Sequence, residues 1–351
     1  MIPVNVITGF LGSGKTTLLN EVLRRPEFSD AAVIVNEFGE IGLDHILLEE
    51  VDEGVLLLEN GCVCCTIRSD LQETIRGLQA KVSSGAIEPF SRVFVETTGL
   101  ADPAPIVSTV LAEPVIRNHF RIGNVVCTID AVAGLNTLRN QPEALKQVAV
   151  ADRLLLTKSD LADRRRMAAL EAEVRRCNPF APLRRSGGRA FDASFLFERS
   201  VAEEDTREQE VAGWFADEAH GATHQHDHGH HSGTAHAFTI DLSESINWTA
   251  FGIWLTAVLH AHGEKILRVK GILNVRESET PVVIHGVQHV VHPPLHLKSW
   301  PDGSRRSRLV FITRGVEESR IRRSLDTFLN IAEPVAFDRE HPVMHGAECH
   351  G

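Results

Sequence analysis

No stretch of this 351-residue chain is apolar for long enough to cross a bilayer as a helix. Positive charge is in deficit. The 36 Lys and Arg stand against 47 Asp and Glu, and the formal charge of -11 argues against non-specific nucleic-acid binding; neither nucleic acid nor membrane is expected as a partner. Cysteine is sparse, six residues in all, and three of them fall within four positions: Cys62, Cys64 and Cys65. That crowding is poor disulfide design and suits soft-metal chemistry in a reducing compartment. A strand pattern begins almost at Met1, so no leader is expected and the cytoplasm is the expected location. What remains is an ordinary globular composition, 43% hydrophobic and 24% charged, in a chain long enough for two domains.

Against that background one motif stands out. Gly9-Phe10-Leu11-Gly12-Ser13-Gly14-Lys15-Thr16 follows a strand pattern at 4–8 and opens a helical one, the setting a phosphate-binding loop requires. The glycines Gly9, Gly12 and Gly14 let backbone close around phosphates, and the helix start offers free N–H groups, those of Ser13 and Thr17 included. Lys15 is placed to pair with β and γ oxygens, and the hydroxyl of Thr16 to ligate Mg²⁺. The chain is expected to bind a nucleoside triphosphate.

Apolar runs at 4–8, 32–36, 92–96, 124–129 and 153–157 alternate with helical patterns at 16–23, 69–83, 105–111 and 165–178. This is an α/β pattern, a P-loop NTPase with a mostly parallel sheet. A first domain is expected over 1–186 and a flexible linker over 187–236 that ends in a histidine-rich tract. A smaller α+β carboxyl-terminal domain follows over 237–340, then a tail over 341–351. In the second domain a strand at 237–242 and a helix at 246–260 precede strands at 266–275, 282–291 and 308–313 and a closing helix at 320–330.

The base is read from Thr157-Lys158-Ser159-Asp160, just past the fifth strand pattern. The Asp160 carboxylate can accept two hydrogen bonds from N1–H and the exocyclic amine of guanine, which adenine cannot offer, while Lys158 lays its stem along the base. GTP is therefore the expected nucleotide. Glu96-Thr97-Thr98-Gly99 ends another strand; Glu96 can organise Mg²⁺, and the amide of Gly99 can meet the γ-phosphate. No arginine finger is identifiable, so hydrolysis is expected to be slow until a metal or a partner accelerates it.

Metal ligands are the second theme. Cys62, Cys64 and Cys65 let at least two thiolates reach one ion, and Glu37 and Glu40 are candidates to complete the set. A site so incompletely closed suits an ion in transit. His220, His224, His226, His228, His230, His231 and His236 place seven imidazoles in seventeen positions. That is a multidentate tract able to collect Zn²⁺, Co²⁺ or Ni²⁺ with little discrimination, or else a soluble linker with incidental affinity. The tail repeats the theme weakly in His341, His345, Cys349 and His350. His285 and His289 share strand parity and could line a surface, with His292 and His296 beyond them.

Together these motifs resemble the CobW family of P-loop GTPases, relatives of the nickel-enzyme maturation GTPases. Residues 9–16 look like its P-loop, 36–40 its Asn-Glu-Phe-Gly-Glu segment, 62–65 its Cys-x-Cys-Cys element and 96–99 its Glu-x-x-Gly. The part after the histidine tract resembles its carboxyl-terminal domain. The resemblance implies a SIMIBI-like fold and Mg-dependent GTP hydrolysis coupled to delivery of a transition metal, zinc foremost, to a metal-requiring client protein. It allows a homodimer. Cobalt chaperoning in cobalamin synthesis, a regulatory GTPase with metal as its input, and a nucleotide-dependent ligase stay open beside it. Thr157 departs from the family pattern, which has asparagine there.

Overall fold

In the computed structural model the described residues are 1–36, 56–59, 67–187, 191–214, 235–301 and 303–331. The first unit runs β1 (Ile2–Thr8), α1 (Lys15–Leu23), β2 (Ala31–Asn36), β3 (Leu56–Glu59), α2 (Ile67–Ser83), β4 (Arg92–Thr97), α3 (Ala104–Ala112), α4 (Pro114–His119) and β5 (Phe120–Asp130). It continues with α5 (Gly134–Asn140), α6 (Pro142–Val150), β6 (Arg153–Thr157), α7 (Arg164–Cys177) and β7 (Leu183–Arg185). Its sheet has the order β3-β2-β4-β1-β5-β6-β7, with every pair parallel.

Strands covered on both faces read as near-continuous apolar runs, and β6 is buried from end to end. Alternation sorts side chains between the two faces: Val4 and Val6 of β1 pack with α2 and α3, whereas Ile7 packs with Leu18, Leu19 and Val22 of α1. Helix α7 shows how a charged segment finds its face. It buries Met167, Leu170, Val174 and Cys177 at helical spacing, and the Asp163 carboxylate caps its start by accepting from the N–H of Arg166.

The second unit comprises β8 (Ala235–Leu242), α10 (Trp248–His262), β9 (Ile266–Leu273), β10 (Val282–Val287), β11 (Val290–Val291), β12 (Leu295–His296), β13 (Ser307–Arg314) and α11 (Glu318–Ile331). Before it come two helices, α8 (Ala193–Phe197) and α9 (Glu204–Gly213). The antiparallel sheet has the order β11-β10-β9-β13-β8, with β12 against β10. One of its faces packs Phe238, Val269 and Phe311 against Phe251 and Trp254 of α10 and Leu325 of α11. The other gives Leu267 and Ile312 to the core built by α6 and α7, so the two units share one hydrophobic interior.

Three expectations are corrected. The stretch 187–236 is not a linker throughout. Phe195, Leu196 and Phe197 of α8 are buried with Phe28 and Phe94, and Val211 and Trp214, at the end of α9, are buried with Val283 and Leu297. The strand read at 282–291 is a hairpin, broken by the two-residue turn Gln288-His289. His285 and His289 therefore do not line one surface: His289 is exposed, while His285 stacks on His292 with ring centroids 3.6 Å apart. An edge strand that the apolar runs did not mark, β3, pairs with β2 ahead of the cysteine segment.

Candidate functional site

The P-loop leaves β1 at the centre of the sheet, and its Gly9, Gly12 and Gly14 have φ of 141, 69 and 92°. At Gly9 a Cβ would lie 2.4 Å from the carbonyl oxygen of Thr128 and 2.6 Å from Ser13 Oγ, so no side chain fits there. Ser13 Oγ is 2.7 Å from Thr128 Oγ1, which ties the loop to β5. Lys15 is buried and donates to the Phe10 carbonyl at 3.3 Å, folding its ammonium back into the loop. Thr17 is exposed in the first turn of α1.

Strand β4 pairs with β1, and the register opposes Ile7 and Glu96. Across that pairing Thr16 Oγ1 donates to Glu96 Oε1 at 2.6 Å. A hydroxyl and a carboxylate in contact at the mouth of a phosphate loop are the hard oxygen donors that Mg²⁺ takes, so the residues present fit that ion. Thr97 Oγ1 donates to Thr8 Oγ1 at 3.0 Å, locking the two strand ends together. Gly99 then returns onto the P-loop, where a Cβ would meet the Leu11 nitrogen at 2.6 Å.

Several residues that build this site carry no motif. Gln147 of α6, fully buried, donates from Nε2 to the Gly99 carbonyl at 3.1 Å and the Ala101 carbonyl at 3.0 Å. Asp130, at the end of β5, accepts from Lys158 Nζ at 2.6 Å, and Lys158 also donates to the Gly12 carbonyl at 2.9 Å. Partial burial pushes the Asp130 carboxyl up, but the Lys158 hydrogen bond, with the N–H groups of Ala133 and Val132, outweighs it and holds the group below its ordinary range. Lys158 has a φ of 54°, a left-handed turn that swings its side chain over the loop. Thr157 Oγ1 donates to the Ser13 carbonyl at 2.7 Å, with the Ile129 carbonyl at 3.2 Å as a second acceptor. Asp160 is exposed, inside the turn closed by the Leu161 N–H on the Lys158 carbonyl, and Ser159 Oγ donates to the Ser186 carbonyl. The structure thus gathers Lys15, Thr16, Glu96, Gly99, Thr157 and Lys158 around one loop.

The metal candidates Glu37, Glu40, Cys62, Cys64, Cys65, His224, His226, His228, His230 and His231 lie outside the described residues. Their flanks do not. β2 ends at Asn36 and β3 at Glu59, and the register runs Glu59, Val35, Glu96, Ile7 across four parallel strands. All four strands therefore open on one edge of the sheet. Among the described residues no group of three or more His, Cys, Asp or Glu is placed to hold a metal. The described cysteines are buried thiols: burial pushes Cys127 up to about 12 and Cys177 up to about 11, which keeps both out of thiolate chemistry. No helix among the described residues is long and apolar enough to cross a membrane.

Comparison with known proteins agrees with this geometry. The CobW/HypB/UreG nucleotide-binding domain matches residues 3–185, and the cobalamin synthesis protein cobW C-terminal domain matches residues 235–329. The zinc chaperone YjiA of Escherichia coli (strain K12) is 30% identical over 92% of this chain and 96% of its own. The zinc chaperone CobW of Pseudomonas aeruginosa is 30% identical over 93% of this chain and 92% of its own. Among solved structures, Zn(II)-bound YjiA GTPase from E. coli superposes with a TM-score of 0.69 at 26% identity, covering 93% of this chain and 98% of that one.

Proposed function

This chain belongs to the CobW-like family of P-loop GTPases, GTP-binding metallochaperones that handle transition metals, and from that premise we propose that it hydrolyses Mg·GTP to deliver zinc to a metal-requiring client protein. The observation that carries this reading is the set of four parallel strand ends on one edge. Two of them lead to the phosphate loop and to Glu96, and the other two lead into the segments with Glu37 and Glu40 and with Cys62, Cys64 and Cys65.

On this reading Lys15 pairs the β and γ oxygens, and Asp160 accepts from guanine. Thr16 and Glu96 would hold Mg²⁺, which when bound neutralises charge on the same phosphate oxygens. The amide of Gly99, pressed on Leu11, meets the terminal phosphate, so gain or loss of that phosphate acts on the Gly99 loop directly. β4 carries this loop and hydrogen-bonds to β2, which gives the nucleotide a mechanical route to the carboxylates and thiolates beyond β2 and β3. Thiolate and carboxylate donors suit Zn²⁺, the ion named for two relatives. The histidine tract serves as a collector of low selectivity.

Phosphate release from GTP and ATP, with each nucleotide competing for the other, tests the nucleotide half of this reading. The expected result is GTP preference in the wild type and at least a tenfold loss of GTP affinity in Asp160→Ala with ATP binding unchanged. Equal use of the two nucleotides by the wild type would refute it.

A further inference from the structure

The loop that carries Gly99 is held from three sides. The P-loop backbone at Leu11 abuts Gly99, and Gln147 grips the Gly99 and Ala101 carbonyls. The third hold comes from the carboxyl-terminal unit. Gln288, at the tip of the β10–β11 hairpin, donates from Nε2 to Asp102 Oδ2 at 2.7 Å. That carboxylate is an anchor point in its own right. Its Oδ1 accepts from the N–H of Ala104, the first residue of α3, and its Oδ2 lies 3.5 Å from Lys146 Nζ. Val287, the neighbour of Gln288, is buried in the same core as Ile106, Val107 and Val110 of α3.

Gln288 has two properties that a mere turn residue would not need. Its φ is 51°, a left-handed conformation that two-residue turns ordinarily give to glycine or asparagine. It is also buried, with only 8% of its surface exposed, whereas the next turn residue, His289, is exposed. The hairpin therefore accepts backbone strain while directing one long amide at one carboxylate 186 residues away in sequence.

We infer that Gln288 is a positioning residue of the nucleotide site: it acts through Asp102 to hold the Gly99 loop against the P-loop, making the carboxyl-terminal unit a part of the apparatus that distinguishes GTP from GDP. The inference rests on the reading of Gly99 as the γ-phosphate contact. Two holds on this loop, Leu11 and Gln147, come from the first unit, and Gln288 links the loop to the second. A terminal phosphate that draws on Gly99 pulls through three residues to Asp102, and the hairpin registers the change. Linkage makes the effect mutual, so whatever shifts the hairpin shifts the affinity for triphosphate relative to diphosphate.

The test uses the full-length protein and the ratio of its affinities for a non-hydrolysable GTP analogue and for GDP. Gln288→Gly removes the amide and suits the positive φ, so the hairpin keeps its fold. It should lower the preference for triphosphate by about fivefold or more and leave GDP affinity within about twofold, in the range of coupling between sites. Gln288→Glu, which sets a carboxylate against Asp102, should lower it at least as far. In an Asp102→Ala background the Gln288→Gly effect should vanish. An unchanged ratio in both Gln288 variants, equal losses for the two nucleotides, or an undiminished effect in the Asp102→Ala background would each overturn the inference. Wild-type protein that binds no guanine nucleotide would overturn the parent reading itself, and that outcome is seen before any variant is made.

Discussion

Thr157 occupies the position where the family pattern has asparagine, and its surroundings explain why threonine serves. Its hydroxyl needs only to reach the Ser13 carbonyl, 2.7 Å away, to tie the turn at Lys158 to the phosphate loop. Thr157→Val keeps the shape and removes the donor, leaving a buried carbonyl without its partner. The expected cost is about 1–3 kcal/mol of stability with several-fold weaker binding of GTP and GDP alike, read from urea unfolding and nucleotide titration. Unchanged affinity for both would contradict that role. At this scale the P-loop and the Glu96 and Gly99 positions were legible, because phosphate chemistry confines residue types to fixed spacings. Gln147, Asp130, Ser186 and Gln288 were not. They are common residues that act through contacts as far as 186 positions apart in sequence, and no local pattern marks them.

Among the elements, buried parallel strands announced themselves as apolar runs, and the boundaries of β6 agree with the reading from sequence. The missed strands, β3 and β7, are segments of four and three residues at the two edges of the sheet, too short to carry a period, and β7 has one apolar residue beside two exposed arginines. Helices α8 and α9 were hidden in a stretch read as a linker because its glycines and acidic residues outweighed the short apolar groups that bury them. The hairpin at Gln288 lacks the usual turn residues, so its two strands read as one. This hairpin and the strands around it also carry a pH dependence. Burial, then the neighbouring charges of Arg268 and Lys270, pushes His292 down to about 3 despite the opposing pull of Asp152, and burial, then the charges of His292, Arg268 and Lys270, pushes His285 well below its ordinary value. Between the ordinary histidine value near 6.5 and those depressed values, the unfolded chain holds protons that the fold refuses, so stability falls as pH drops through that window. Burial likewise lowers Lys270 to about 7, and by the same sign stability rises between pH 7 and about 10.5. Urea midpoints should therefore fall from pH 7 to pH 5, and His292→Gln should flatten the slope by up to about 1.4 kcal/mol per pH unit. Parallel slopes in wild type and variant would contradict the assignment.

At the scale of the whole molecule, the second unit is tied to the first by a polar seam as well as by the shared core. Arg268 of β9 donates to the Val150 carbonyl at 2.5 Å and pairs with Asp152, and Lys270 lies 4.6 Å from the ring centre of Trp214. Burial raises the Asp152 carboxyl, yet Arg268, Lys270, the Val125 N–H and Arg153 together hold it below its ordinary value. The α/β and α+β classes of the two units were legible from the order of apolar runs, but their mutual packing was not, since periodicity describes one element at a time. The Gly99 loop is gripped by both units, on the sheet edge from which the segments with Glu37, Glu40 and the three cysteines depart, and this makes coupling between GTP and metal the central claim of the proposed function. Its most direct test is a zinc titration against a competing chelator with the protein held in Mg·GTP-analogue or Mg·GDP. The account predicts tighter zinc binding in the triphosphate state, by about fivefold or more. Equal zinc affinity in the two states would contradict it.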